Sequence, residues 1–335
     1  MSNKLFSAVD LGNLALPNRV VMAPMTRCRS VGNVPGESVA TYYAQRAEAG
    51  LIITEGTAPS PDGLGYPRIP GLFNTEQVSG WRKVTEAVHG AGGRIFVQLM
   101  HTGRVGHPEN LPSGGRLIGA SAIAAPGEMY TDTRGPLPHP VPEAMDVATI
   151  EGAIESYVHA ARLAVDEAGF DGVELHAANG YLIDQFLNTA SNQRKDRWGG
   201  SVVGRLRFAT ETARRVAKAI GGDRVGIRIS PYGVFNGMAP DVDMTRLFLA
   251  LTEAVGACGL VYLHLVDHSS LGAPSLPEGL RDELRVRFPG TFILSGGYDR
   301  ARAVEALDAG HGDLVAFGRP FIANPRLVSR LAGDL

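Results

Sequence analysis

Short apolar runs alternate with longer amphipathic stretches along most of the chain. The runs fall at 19–23, 51–54, 94–99, 172–175, 224–229, 260–265, 291–294 and 313–317, each rich in Val, Ile, Leu or Phe without clean alternation. Strands buried on both faces read this way. Helical patterns fall at 38–49, 75–90, 149–168, 201–220, 244–257, 299–309 and 325–331. Within 149–168, Ile150, Ala153, Ile154, Tyr157, Val158, Ala161 and Val165 recur mostly at spacings of three and four, and Gly169 ends the segment. Eight strands interleaved with helices over 335 residues predict an α/β fold, a single (β/α)8 TIM barrel spanning 1–335.

A doubly wound sheet is the weaker alternative, because no G-x-G-x-x-G occurs. The segment 101–146 breaks the alternation and is dense in Gly and Pro, as in Pro136-Leu137-Pro138-His139-Pro140. A long loop in a compact domain is usually functional. It is expected to be an excursion after strand three that caps the barrel mouth.

Composition narrows the partners. A net charge of −2 argues against nucleic acid, which needs a basic face. No apolar run approaches the ~20 residues of a membrane span, and the start Met1-Ser2-Asn3-Lys4-Leu5-Phe6 does not read as a signal peptide. Two cysteines, Cys28 and Cys258, form no C-x-x-C pair and suit a reducing compartment, so a cytoplasmic location is expected.

In a barrel, chemistry sits where strands end and helices begin. Gly296-Gly297 after strand seven and Gly318 after strand eight allow backbone N–H groups to approach an anion closely, and Arg319 adds a fixed charge. Two adjacent loops of this kind point to a phosphate site; a tight loop with a surface arginine is the plainer reading. Arg228 lies inside the apolar run Val225-Gly226-Ile227-Arg228-Ile229, and Gln98 inside Phe96-Val97-Gln98-Leu99. A structural ion pair and a satisfied core amide would explain them separately. Together they suit a planar ligand with carbonyl and ring-nitrogen edges.

The stretch Gly172-Val173-Glu174-Leu175-His176-Ala177-Ala178-Asn179-Gly180-Tyr181 reads as a buried strand followed by three polar groups. His176 alone fits a satisfied core histidine, Asn179 a turn and Tyr181 packing. As a set, His176 and Asn179 can converge on one carbonyl oxygen, where two donors stabilise growing negative charge. Tyr181 can then protonate carbon, since a phenol of pKa ~10 stays protonated at neutral pH. No carboxylate or second histidine stands at ligand spacing beside His176, so no metal site is expected.

These residues also carry a resemblance. Met22-Ala23-Pro24-Met25-Thr26-Arg27, Gln98-Leu99-Met100-His101-Thr102-Gly103-Arg104, the run from His176 to Leu187, Ser191-Asn192-Gln193-Arg194 with Trp198-Gly199-Gly200-Ser201, Gly226-Ile227-Arg228-Ile229-Ser230-Pro231 and Ala316-Phe317-Gly318-Arg319-Pro320 occur in order over nearly the whole chain. The sequence resembles the Old Yellow Enzyme family of FMN-dependent ene-reductases, and within it the branch of N-ethylmaleimide and pentaerythritol tetranitrate reductases.

The resemblance implies tight, non-covalent FMN across the barrel mouth. Its phosphate would lie on Gly296, Gly297, Gly318 and Arg319, with Arg228 at the N1/O2 edge and Gln98 at the pyrimidine edge. Pro24, Met25 and Ala58 would line the ring, and Thr26 would bond O4. NADPH or NADH would supply hydride, and an activated alkene (an α,β-unsaturated carbonyl, maleimide or nitroalkene) would accept it. His176 and Asn179 would hold the alkene's activating oxygen, Tyr181 would protonate the α-carbon, and Tyr66 and Met100 would line the substrate side.

Two departures from the family stand out. Met100 replaces a tryptophan common in this branch, which should alter substrate choice. Many relatives also carry a C-terminal tail with aromatic residues near the flavin, where this chain has Gly333-Asp334-Leu335, so a more open pocket or one closed by another subunit is expected. The competing functions are a flavin-free barrel isomerase or lyase acting on a phosphorylated sugar, and a non-catalytic flavin carrier. Oligomeric state is not legible.

Overall fold

The computed structural model describes residues 4–333; the two chain ends, and with them the expectations for Met1–Asn3 and Asp334-Leu335, lie outside it. Eight strands close a parallel barrel in chain order: β1 (Val20–Met22), β2 (Leu51–Ile53), β3 (Ile95–Leu99), β4 (Gly172–Ala177), β5 (Val225–Ile229), β6 (Tyr262–Val266), β7 (Thr291–Ser295) and β8 (Leu314–Phe317). β8 returns to pair with β1, which leaves no barrel edge.

Each strand lies within two residues of its expected bounds, but the apolar runs conceal an alternation. Val97, Leu99, Val173, Leu175, Ile227 and Leu263 pack outward in one large core with the helices. Val21, Leu51, Ile53, Phe96, Tyr262, Ile293 and Leu314 form a second cluster with Leu11 and Leu16. The latter two come from the antiparallel hairpin Val9–Leu11/Leu14–Leu16, so the barrel interior is filled and continuous with that hairpin. Gly226 permits this filling, because a Cβ there would collide with the Tyr262 ring.

The surrounding helices are α1 (Glu37–Ala44), α2 (Thr75–Gly90), α3 (Val147–Arg162), α4 (Leu182–Leu187), α5 (Val202–Ile220), α6 (Met244–Ala257), α7 (Leu280–Arg287), α8 (Arg300–Asp308), α9 (Arg319–Ala323) and α10 (Leu327–Ala332). The short helices α4 and α9 and the longer α7 were not expected, and two of the expected helices differ in extent. The 38–49 pattern stops as a helix at Ala44 and continues in turns. α3 passes into a π-helical turn, Leu163–Glu167, before Gly169 at φ 79° ends it. α7 carries five charged residues among eight and buries only Leu280 and Leu284, too thin a stripe to stand out in sequence.

The excursion after β3 contains the hairpin Glu128–Thr131/Gly135–Pro138. Arg104 fastens it to the loop after β5 through Nη2, which donates to Asn236 O at 3.1 Å and Gly237 O at 3.3 Å. Met129 of the hairpin packs against Tyr181, Met100 and Ala58. The excursion therefore supplies one wall beside the strand-four loop.

Candidate active site

Parallel strands deliver their inward side chains to one end, in layers set by register. Gln98 pairs with Glu174, while His176, Arg228 and His264 lie level with one another one step nearer the strand ends. All five are buried. Above them opens a cavity of about 640 Å3 lined by Pro24, Met25, Arg228, His268, Gly296, Gly297, Gly318 and Arg319 among others. Seven of the expected cofactor residues thus share one cavity. Gly296 and Gly297 sit at φ 130° and 65°, and a Cβ at either would collide with the 267–270 loop, so the turn requires glycine there.

The strand-four loop is held rigidly. Asn179 and Gly180 are both left-handed, at φ 60° and 76°. Asn179 N donates to Ser230 Oγ at 2.9 Å, and Asn236 Nδ2 donates to Asn179 O at 2.7 Å. Gln185 Nε2 donates to Gly180 O at 2.7 Å, and Gly180 N donates to Asp184 Oδ2 at 2.8 Å. Burial pushes the Asp184 carboxyl up to about 7. A carboxyl raised in the folded state holds a proton that the unfolded chain releases, so its contribution to stability is full below about pH 4 and is lost as pH rises through 7. Asp184→Asn is therefore expected to raise Tm relative to the parent at pH 8 and to change it little at pH 4. Equal shifts at both pH values in thermal melts would exclude this ionisation.

That rigidity brings two of the three expected reacting groups into contact. The His176 and Tyr181 rings meet edge to face with centroids 4.9 Å apart. Burial, with Arg228, His264 and His268 nearby, holds His176 well below the usual imidazole range. It is therefore neutral and offers one N–H. Burial and the adjoining Tyr66 push the Tyr181 phenol well above its usual range, so it keeps its proton. Tyr66 Oη lies 3.0 Å from Tyr181 Oη.

His268 is a participant the sequence did not disclose. Its Nε2 lies 2.7 Å from Asn179 Oδ1, and burial lowers its pKa to about 4. A neutral His268 donating from Nε2 occupies the amide oxygen and leaves the Asn179 NH2 for another acceptor. Glu174 and His264 were equally unforeseen. His264 Nδ1 and Glu174 Oε2 are 2.8 Å apart, and Gln98 Nε2 donates to Glu174 Oε1 at 2.8 Å. Both are polar residues inside apolar strands, and the strand register is what shows them to be in phase with His176 and Arg228.

Other expected residues lie to the side. Thr26 is exposed, following Pro24 and Met25 of the cavity wall. Ala58 and Met100 are enclosed in an apolar cluster with Tyr181, against which Cys28 and Tyr66 pack. Direct ligand contact at Ala58 or Met100 therefore needs neighbouring side chains to move. His101, at the end of β3, is buried with Nδ1 accepting from Gly103 N at 3.0 Å, which makes it a brace for its own turn.

The cavity fits a flat, polar-edged anion. Buried His176 Nδ1, Arg228 Nε and His264 Nε2 have no partner among the described residues. Buried polar groups are normally satisfied, so a cluster of unsatisfied ones under a cavity indicates a ligand edge. The fold and site define a closed parallel barrel with a glycine-lined cavity, a donor pair and a phenol at its mouth.

Comparison with known proteins identifies the family. A model of the NADH:flavin oxidoreductase / NADH oxidase family matches residues 4–335. The chain is 42% identical to 12-oxophytodienoate reductase 7 of Oryza sativa subsp. japonica over 97% of this chain and 87% of that protein. It is 43% identical to chanoclavine-I aldehyde reductase of Penicillium roqueforti over 99% and 90%. The structure of morphinone reductase in complex with tetrahydroNAD superposes with a TM-score of 0.94 at 43% identity, covering 99% of this chain and 91% of that one. The chain belongs to the NADH:flavin oxidoreductase family, the Old Yellow Enzyme group that its motifs resemble. It is an FMN-dependent oxidoreductase that takes hydride from a nicotinamide cofactor. Among the described residues, no helix is long and apolar enough to cross a membrane.

Proposed function

We propose that this enzyme is an NAD(P)H-dependent ene-reductase that saturates electron-poor double bonds. The observation that carries the reading is the contact of neutral His176 with protonated Tyr181, with Asn179 on the same loop oriented by His268, which lines a cavity with a glycine cradle. The relatives support it: their names specify reductases of 12-oxophytodienoate, of chanoclavine-I aldehyde and of morphinone.

Gly296, Gly297, Gly318 and Arg319 hold the FMN phosphate, Pro24 and Met25 flank the ring, and Gln98 and Arg228 meet its pyrimidine edge. Thr26 and, once the side chains covering it move, Ala58 complete the ring's surroundings on the β1 and β2 sides. When bound, FMN supplies hydride exchange between the nicotinamide and the β-carbon of the alkene. The protein's share is positional and protic. His176 and Asn179 donate to the activating oxygen of an α,β-unsaturated carbonyl, maleimide or nitroalkene and stabilise the charge that grows there. Tyr181 holds its proton at the α-carbon and releases it as that carbon becomes basic. Tyr66 and Met100 bound the substrate side.

A sugar-phosphate isomerase would use the same cradle, but the family membership argues against it. In the test, purified protein is yellow, releases FMN on heating, and oxidises NADPH or NADH when given an enone, maleimide or nitroalkene. Flavin-loaded protein that turns over none of these substrates would return it to a carrier role.

A further inference from the structure

One buried group is not used by the chemistry above. Glu174 and His264 have no solvent exposure, deep in the barrel. The rest of the barrel interior is apolar or aromatic, with Phe96, Tyr262 and Ile293. A buried charge there costs more than a packed apolar side chain, so stability alone does not account for it.

Glu174 spends both oxygens on two buried side chains, Gln98 and His264, below the cavity that Arg228 lines. Oε1 accepts from Gln98 Nε2, which commits the donor end of that amide to the interior and leaves its Oε1 as the end for a ligand. Oε2 accepts from His264 Nδ1, which fixes the tautomer and leaves Nε2 as an acceptor. His264 and Arg228 are register partners on adjacent strands. Burial opposes ionisation of Glu174, yet His264, Arg228 and Gln98 together hold it below the usual carboxylate range. Burial likewise lowers His264, which leaves it a neutral donor. The buried anion therefore stands against a single fixed cation, Arg228.

We propose that Glu174 is the positioning residue of the flavin's pyrimidine edge: it orients Gln98 and His264 and offsets part of the Arg228 charge, and so sets the redox potential of the bound FMN. The inference rests on the assignment of Gln98 and Arg228 to that edge. An uncompensated Arg228 favours the more negative, reduced cofactor. Charges separated by low-dielectric interior interact strongly enough for the effect to be measurable.

The test is spectroelectrochemical titration of the holoenzyme together with the rate of FMN release. Glu174→Gln is expected to raise the midpoint potential by about 30 mV, equivalent to about tenfold tighter retention of reduced over oxidised FMN for a two-electron couple. Glu174→Asp keeps the charge but shortens the reach, so it holds the parent midpoint while FMN dissociates several-fold faster. A Glu174→Gln holoenzyme with the parent midpoint overturns the proposal. So does a Glu174→Asp midpoint that rises as far as that of the Gln variant, since the shift would then come from repacking. If Glu174→Gln does not fold or retain FMN, the Asp variant decides alone, and an unchanged release rate there overturns the proposal. Gln98→Leu and Arg228→Met, measured in parallel, report on the edge assignment itself. If they move neither quantity, that assignment fails and the inference with it; if they do and the Glu174 variants do not, Glu174 alone is misassigned.

Discussion

Tyr181→Phe is expected to slow alkene reduction by about 10²–10⁴-fold, the span typical of a positioned general acid, while reduction of the bound FMN by NADPH stays close to the parent rate. The split follows from what the phenol does. Tyr181 keeps its proton because burial and Tyr66 raise its pKa, so it is available only to a strong base such as a carbanion. No such base arises when the nicotinamide donates. The ring still packs against His176, so phenylalanine preserves the wall and removes only the hydroxyl. Stopped-flow measurement of each half-reaction separately checks this. Equal losses in both would mean that Tyr181 shapes the pocket and is not the acid. Tyr66→Phe serves as a control: it removes the 3.0 Å hydroxyl partner but leaves the proton on Tyr181, so a smaller loss is expected.

The second large effect belongs to the oxygen-gripping pair. Removing one preorganised donor costs about 10²–10³-fold in rate, so His176→Ala and Asn179→Ala are each expected to fall in that range with pre-reduced enzyme and an enone. The double variant should lose less than the product of the two, because both donors serve one oxygen and act as a unit. Asn179→Ala carries a complication: its backbone sits at φ 60°, a region that costs an ordinary residue about 1–2 kcal/mol. A thermal melt beside the kinetics separates that strain from the lost donor. Strictly multiplicative losses would place the two side chains on different atoms.

Much of this architecture is written in the chain. The eight strands are legible because each is enclosed on both faces and must be apolar throughout, and the long helices because each shows one apolar stripe. Phase is harder to read. In Tyr262-Leu263-His264-Leu265 nothing in the string says which residues face inward, and register with Arg228 supplies the answer. Glu174 was hidden for the same reason, as a polar residue inside a run that reads as core. His268 lies beyond its strand, in a loop whose path is set by the collision that a side chain at Gly296 would make with Asp267. Its 2.7 Å contact joins residues 89 positions apart, a pairing that periodicity cannot express. Gln98 is bonded within the core to Glu174, one layer below the His176 and Arg228 level.

Met100 lies over Gly56 so closely that a methyl group at position 56 would strike its sulfur. The two sites are therefore bound to an order of change. A lineage that trims Met100 to a smaller side chain frees position 56 to diversify; one that alters Gly56 first meets a blocked core. Libraries aimed at new alkenes should vary the two codons jointly, since the side chain at one position sets the room at the other.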